Sequence, residues 1–307
     1  MGKYLLRRLL QMIPVFLFAT FLIYAMVFLM PGDPIRALFG ERSPSASSIA
    51  AIRDRYNLDD PFFVQYVKYM LGVLTGDFGT DFRGRAVTDI MTQKIPITVR
   101  LAIVAFTMEV LIGIIAGILA AVRKGRFIDN LVLVSTISVI SIPIFVIGYM
   151  AQLGLAVEMG WFPVAGVTEG FRSYLLPGFV LGSVSLAYVA RLTRTSLVEN
   201  LRADYVRTAT SKGMLRRRVI GVHALRNSMI PVVTFLAFDI GSLISGAIIT
   251  ETVFNIPGIG RAVFDAVLQQ EGSVVVGLIT FLVTVYVVSN LLVDLLYGVL
   301  DPRIRYE

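Results

Sequence analysis

The chain has 307 residues, of which 56% are hydrophobic and 16% charged, and a formal charge of +7; a soluble domain carries about 25% charged residues. A mean hydropathy of +0.77 is too high for one water-soluble core, so disorder, coiled coil and collagen are excluded and an all-α integral membrane protein with several spans is expected. The absence of cysteine excludes disulfides, thiolate metal sites and a cysteine nucleophile, and one histidine with one tryptophan leaves little for a His-rich metal centre or a haem pocket.

Six stretches are long and apolar enough to cross ~30 Å of hydrocarbon at 1.5 Å per residue. They are residues 9–30, 101–122, 130–157, 173–190, 227–250 and 272–293. The first follows Lys3, Arg7 and Arg8 and so starts like a secretory signal. Its apolar run exceeds the usual 7–15 residues of such a signal and has no small-residue cleavage site. It is read as an uncleaved helix that ends at Pro31-Gly32-Asp33-Pro34. In the long segment 31–100, Ser43 to Asn57 is expected to form a short helix. Pro61 to Val73 is expected to form an amphipathic helix that lays Phe62, Phe63, Tyr66, Tyr69 and Met70 on the outer interface or the next span. Gly76-Asp77-Phe78-Gly79 reads as a turn, and Ile95-Pro96 leads into the second span. Ser141-Ile142-Pro143 falls inside the third span, where proline removes a helix hydrogen bond and predicts a kink. Trp161-Phe162-Pro163 suits an interfacial aromatic belt. After the fifth span, Asn255 to Gly260 reads as a turn, followed by an interfacial helix from Ala262 to Leu268.

Lysine and arginine in the short loops orient the spans. With the N-terminus inside, segments 1–8, 123–129, 191–226 and 294–307 hold 17 basic residues, against only Arg172 and Arg261 in the two short outer loops. Both termini are therefore expected in the cytoplasm, with 31–100 outside. The basic balance is a topology signal, and no nucleic-acid partner is expected.

Glu109 and Asp239 lie mid-span, where a carboxylate costs ~2.5–3.5 kcal/mol. Each reads either as lining a translocation pathway or as a structural hydrogen bond between helices. Gly241, Ser242, Ser245 and Gly246 follow Asp239 and leave room for close helix approach or for a substrate. Glu251 and Asn255, at the outer end of the fifth span, are candidates for an outer gate or a contact with an external binding protein. His223 has no further ligands nearby and reads as a hydrogen-bonding loop residue. No nucleophile elbow, catalytic carboxylate pair or G-x-x-x-x-G-K-[ST] phosphate loop occurs.

Segment 191–226 is the most polar of the chain. Tyr205, Ala209 and Lys212 follow a helical step, with Gly213 placed to end that helix, and a second short helix is expected from Met214 to about Arg226. Two such helices suit docking to a cytoplasmic partner or, equally, to anionic lipid heads. The run Asp204-Tyr205-Val206-Arg207-Thr208-Ala209-Thr210-Ser211-Lys212-Gly213, then His223-Ala224-Leu225-Arg226-Asn227-Ser228-Met229-Ile230-Pro231, resembles the cytoplasmic EAA loop of ABC-importer permeases, in the form of the dipeptide/oligopeptide branch. Pro31-Gly32-Asp33-Pro34, Gly76-Asp77-Phe78-Gly79 and Leu300-Asp301-Pro302-Arg303-Ile304-Arg305 extend the resemblance over essentially the whole chain. The general pattern places Glu-Ala-Ala at the positions held here by Arg207, Thr208 and Ala209, so the last alanine and Gly213 match.

The resemblance implies a type I importer permease fold in a bacterial or archaeal plasma membrane, similar to the first of two related permeases. It implies coupling to two cytoplasmic ATPases through residues 204–231, with Tyr205, Arg207, Ala209, Lys212, Gly213 and His223 in the loop. It further implies a second homologous permease and an extracytoplasmic solute-binding protein, with ATP and magnesium held on the ATPases and no cofactor on this chain. Permeases for nickel chelates or glutathione resemble the same branch. A secondary transporter or channel working alone would be expected to show an internal repeat or more intramembrane charge, and a scaffold or receptor would need no buried carboxylates.

Overall fold

A computed structural model of the chain describes residues 2–29 and 59–300. The expected features at Pro31 to Pro34, Ser43 to Asn57 and residues 301–307 lie outside the described residues. The described chain is helical, with one isolated bridge between Thr80 and Ala86.

In chain order, α1 is Gly2–Phe28, α2 Phe62–Leu74 and α3 Val87–Met108. A π-turn, Glu109–Gly113, carries α3 into α4, Ile114–Val122. α5 is Phe127–Ser141, and α6 is Ile144–Ala151 with a π-turn Gln152–Glu158. A 3-10 turn Gly170–Tyr174 opens α7, Leu175–Asn200. α8 is Asp204–Ser211. A single turn Arg216–Arg218 and a π-turn Val219–Ala224 run into α9, Leu225–Val253. α10 is Ile259–Leu268 and α11 Gly272–Leu300. Five continuous described helices are long and apolar enough to span, and six if α5 with α6 counts as one span.

Four expectations about these elements change. The second span starts early, because its helix runs unbroken from Val87 through the π-turn. The fourth continues through Arg191 to Asn200, so the polar segment begins as helix. The second short helix from Met214 is instead the lead-in to α9, with Pro231 inside that helix. The third span is broken rather than kinked: Ile142 and Pro143 are extended, and the two halves meet at 108°. Pro143 has no amide hydrogen for the helix ladder and pushes Ile142 out of the helical region.

The contacts group the chain into two units, residues 99–256 and residues 1–98 with 257–307. In the second of these, α1 and α11 pack together, with Arg8 Nη1 3.2 Å from Asp294 Oδ2. The Tyr66 hydroxyl of α2 donates to the Leu17 carbonyl at 2.9 Å, and the Tyr69 hydroxyl donates to Thr280 Oγ1 at 3.0 Å. Phe62 and Phe63 lie on Phe21. The aromatic face of α2 thus packs on the first and last spans, while Phe63, Val67, Leu71 and Leu74 are exposed. The expected turn follows, with Gly76 and Gly79 at φ of +87° and +92° and the Gly79 amide donating to Asp77 Oδ1.

In the unit 99–256, α3–α4 and α7 run parallel. A Cβ on Gly178 or Gly182 of α7 would meet Val104 or the Ala105 carbonyl, and one on Gly113 or Gly117 would meet Val189 or Thr193. Two glycine pairs four residues apart therefore set a close crossing, as small residues do between helices in lipid. The small residues after Asp239 were expected to leave room for close helix approach or for a substrate; Gly246 has open space around its Cβ position and Ser242 is exposed, so these two do not make a close crossing.

Candidate functional site

α8 lies in the middle of the polar segment and ends at a glycine cap. Gly213 adopts φ +74°, a left-handed value that costs a side chain ~1–2 kcal/mol. Its amide donates to the Thr210 carbonyl at 3.0 Å, and the Met214 amide reaches back to Ala209 at 3.3 Å. These two bonds form a Schellman cap that stops the helix where the glycine predicts.

Val206 and Ala209 of α8 are buried in an apolar cluster with Ala121 of α4, Leu197 of α7, and Val219 and Ala224 ahead of α9. Tyr205, Arg207, Lys212 and Gly213 are exposed. The Tyr205 hydroxyl donates to Asn200 Oδ1, and Arg207 pairs weakly with Asp204 at 3.4 Å. Arg216, Arg217 and Arg218 are also exposed, next to Leu215, which is 78% exposed. The result is a short helix, anchored on its apolar side, whose exposed surface carries Asp204, Tyr205, Arg207 and Lys212. His223 lies in the π-turn and is partly buried. Of the six loop residues expected to act, four share the exposed surface. Ala209 serves the anchor.

Glu109 and Asp239 come together although they are distant in sequence. Both are buried, at 0% and 9% exposure, and their carboxyl groups interact where the π-turn meets α9. Ser185 of α7 sits beside Asp239. Neither Glu109 oxygen has a hydrogen-bond partner, nor does Asp239 Oδ2. A buried acid pair with unpartnered oxygens costs stability, so its place in the bundle needs an explanation. Ser245 is occupied with the Gly241 carbonyl at 3.1 Å, so neither serine joins the acids. Glu251 is fully buried, and Asn255 is exposed at φ +51°.

The sequence reading missed an ion pair near α8. Asp129 of α5 accepts Arg194 of α7 through two bonds of 2.8 and 2.9 Å. Asp129 stands at the start of a span and Arg194 in a basic stretch. An acidic residue beside the cations of a short inner loop was the available signal.

Residues 113–306 match the family described as binding-protein-dependent transport system inner membrane component. Residues 1–102 match the N-terminal region of the corresponding membrane component. The chain is 37% identical over its full length, and the full length of the relative, to the dipeptide transport system permease protein of Escherichia coli. It is 36% identical, again over both full lengths, to the dipeptide transport system permease protein of Alkalihalophilus pseudofirmus. A glutathione transport system permease protein of Salmonella paratyphi A is 38% identical over the same full extent.

Proposed function

The chain belongs to the family of inner membrane components of binding-protein-dependent transport systems, and on that premise we propose that it is the first of two permeases in an ATP-driven importer of short peptides. As a member it is a multi-pass transport subunit of the plasma membrane that works with ATPases and a solute-binding protein.

In this reading a second, homologous permease completes the pathway. Two cytoplasmic ATPases hold ATP and magnesium, and this chain binds no cofactor. The observation that carries the coupling role is the geometry of α8. Its Gly213 cap and its buried Val206 and Ala209 fix the helix to α4 and α7, so a push on its exposed face moves those helices rather than bending a loop. Glu109 and Asp239 supply acceptor oxygens within the bundle for the amino group of a peptide, and Glu251 and Asn255 belong to the outer end of the route.

The peptide substrate is favoured by the dipeptide relatives. Glutathione is the second reading, favoured by the relative named for it. The test is ATP-driven uptake in proteoliposomes that hold the assembly purified from its native membrane, with the solute-binding protein outside. Labelled dipeptides compete with glutathione and with nickel. Dipeptide uptake that glutathione does not displace supports the first reading, and preferential glutathione uptake supports the second. A chain purified without any ATPase would refute both.

A further inference from the structure

We infer that Asp129 is a positioning residue for transport: its ion pair with Arg194 pins α5 to the body that carries α8. The inference rests on the reading of α8 as the coupling helix.

Asp129 is 2% exposed. Its Oδ1 accepts Arg194 Nε at 2.8 Å, and its Oδ2 accepts Arg194 Nη2 at 2.9 Å. The same Oδ2 accepts the Gly125 amide at 2.8 Å. Gly125 turns the chain between α4 and α5 at φ +76°. One carboxylate therefore ties the α4–α5 turn, the first turn of α5 and α7 together through charge-assisted bonds in a fixed fork geometry. Arg194 lies three residues before Leu197, which sits in the apolar cluster with Val206 and Ala209 of α8. The pin and the coupling helix are thus joined through less than one turn of α7.

Beyond Asp129, α5 rests on α7 and α4 mainly through half-buried apolar side chains. Asp129 and Thr136 are its two buried residues, and the Thr136 hydroxyl is used on the Leu133 carbonyl of its own helix. Lipid tails are as apolar as leucine, so apolar contact alone does not choose where such a helix sits, whereas a paired charge does. At its other end α5 stops at the extended residues Ile142 and Pro143. α5 is accordingly a rod pinned at Asp129 and jointed at Pro143. A displacement of α8 reaches it through Arg194.

The experiment uses the complete assembly in proteoliposomes and reads ATP hydrolysed per peptide imported. The variants are Asp129→Asn, Arg194→Gln and the exchanged pair Asp129→Arg with Arg194→Asp. Each single variant is expected to keep ATP hydrolysis within about twofold of wild type and to lose import about fivefold or more, and the exchanged pair to recover import in part, since an arginine at 129 cannot accept the Gly125 amide. A second route avoids dependence on the charges. The chain has no cysteine, so Asp129→Cys with Arg194→Cys can be bridged by a short bis-maleimide, which is expected to restore the ratio. Single variants with wild-type import overturn the inference. So does import and hydrolysis falling together as the chain drops out of the assembly, which is what a merely stabilising pair would give. Failure of both the exchanged pair and the bridge to restore the ratio also overturns it. A wild-type assembly without ATP-driven uptake removes the coupling-helix reading itself, and the two failures are thereby told apart.

Discussion

Gly117 of α4 and Thr193 of α7 are so close that a Cβ on the glycine would stand 2.5 Å from the threonine Cβ and 2.6 Å from the Ala190 carbonyl oxygen. No real Cβ contact is that short, and the second obstacle is backbone that cannot rotate away. Gly117→Val is therefore expected to force the helices apart, at a cost of ~1–3 kcal/mol or more. Gly246→Ala, in open space on α9, is expected to be neutral or to stabilise by up to ~1 kcal/mol through helix propensity. Thermal unfolding of the two variants in detergent checks the contrast. Equal melting temperatures would remove the close crossing.

Gly213→Val tests the α8 cap. The valine must adopt φ near +74° or release the Met214–Ala209 hydrogen bond, a local penalty of ~1–2 kcal/mol. The bundle does not rest on this residue, whose Cβ position is open. The chain should remain in the membrane at wild-type amount while uptake is lost. Normal uptake in whole cells would remove the docking role of α8.

Asp239→Asn keeps the shape of the buried pair and adds an N–H donor beside the unpartnered Glu109 oxygens. Assembly is therefore expected to be preserved, since a donor satisfies what is now an orphan. If the acid serves the route, uptake should fall about fivefold or more. Wild-type uptake kinetics would leave the pair a structural role alone.

Glu271, just ahead of α11, gives a pH dependence. Burial raises its pKa above the ordinary 4.5, and the negative charge of Asp81 adds to this, against Arg83 and Arg85. The folded protein then binds more protons than the unfolded chain between 4.5 and the raised value, so stability falls as pH rises through that window. Glu271→Gln should flatten this slope and be the more stable form at neutral pH. The two unfolding profiles should converge at low pH, where both states are protonated. A parallel offset at every pH would contradict the assignment.

The end of α8 was legible along the chain. A glycine at the end of a helical run predicts a left-handed cap, whereas the helical step through Tyr205, Ala209 and Lys212 did not separate the exposed Tyr205 and Lys212 from Ala209, which is buried with Val206. The acid pair was legible only as two separate mid-span charges. Glu109 opens the π-turn and Asp239 lies on α9, 130 residues further along, so their meeting belongs to the tertiary structure. Ser242 stands three residues after Asp239 on α9 and is exposed where Asp239 is buried. Asp129 was overlooked because its partner is 65 residues away.

The sequence by itself determined that this is an all-helical membrane chain, where its apolar stretches lie, where α8 ends, and which branch of importers it resembles. These follow from hydropathy, local backbone preference and short motifs, all of which act over a few residues. Tertiary structure decided which helices touch, that the third apolar stretch breaks at 108°, and that Asp129 holds Arg194. Hydropathy does not separate a helix face that meets lipid from one that meets another helix, because both surroundings are apolar. The choice falls to glycines that let backbones approach and to buried charges that need partners, and those meet only in the folded chain.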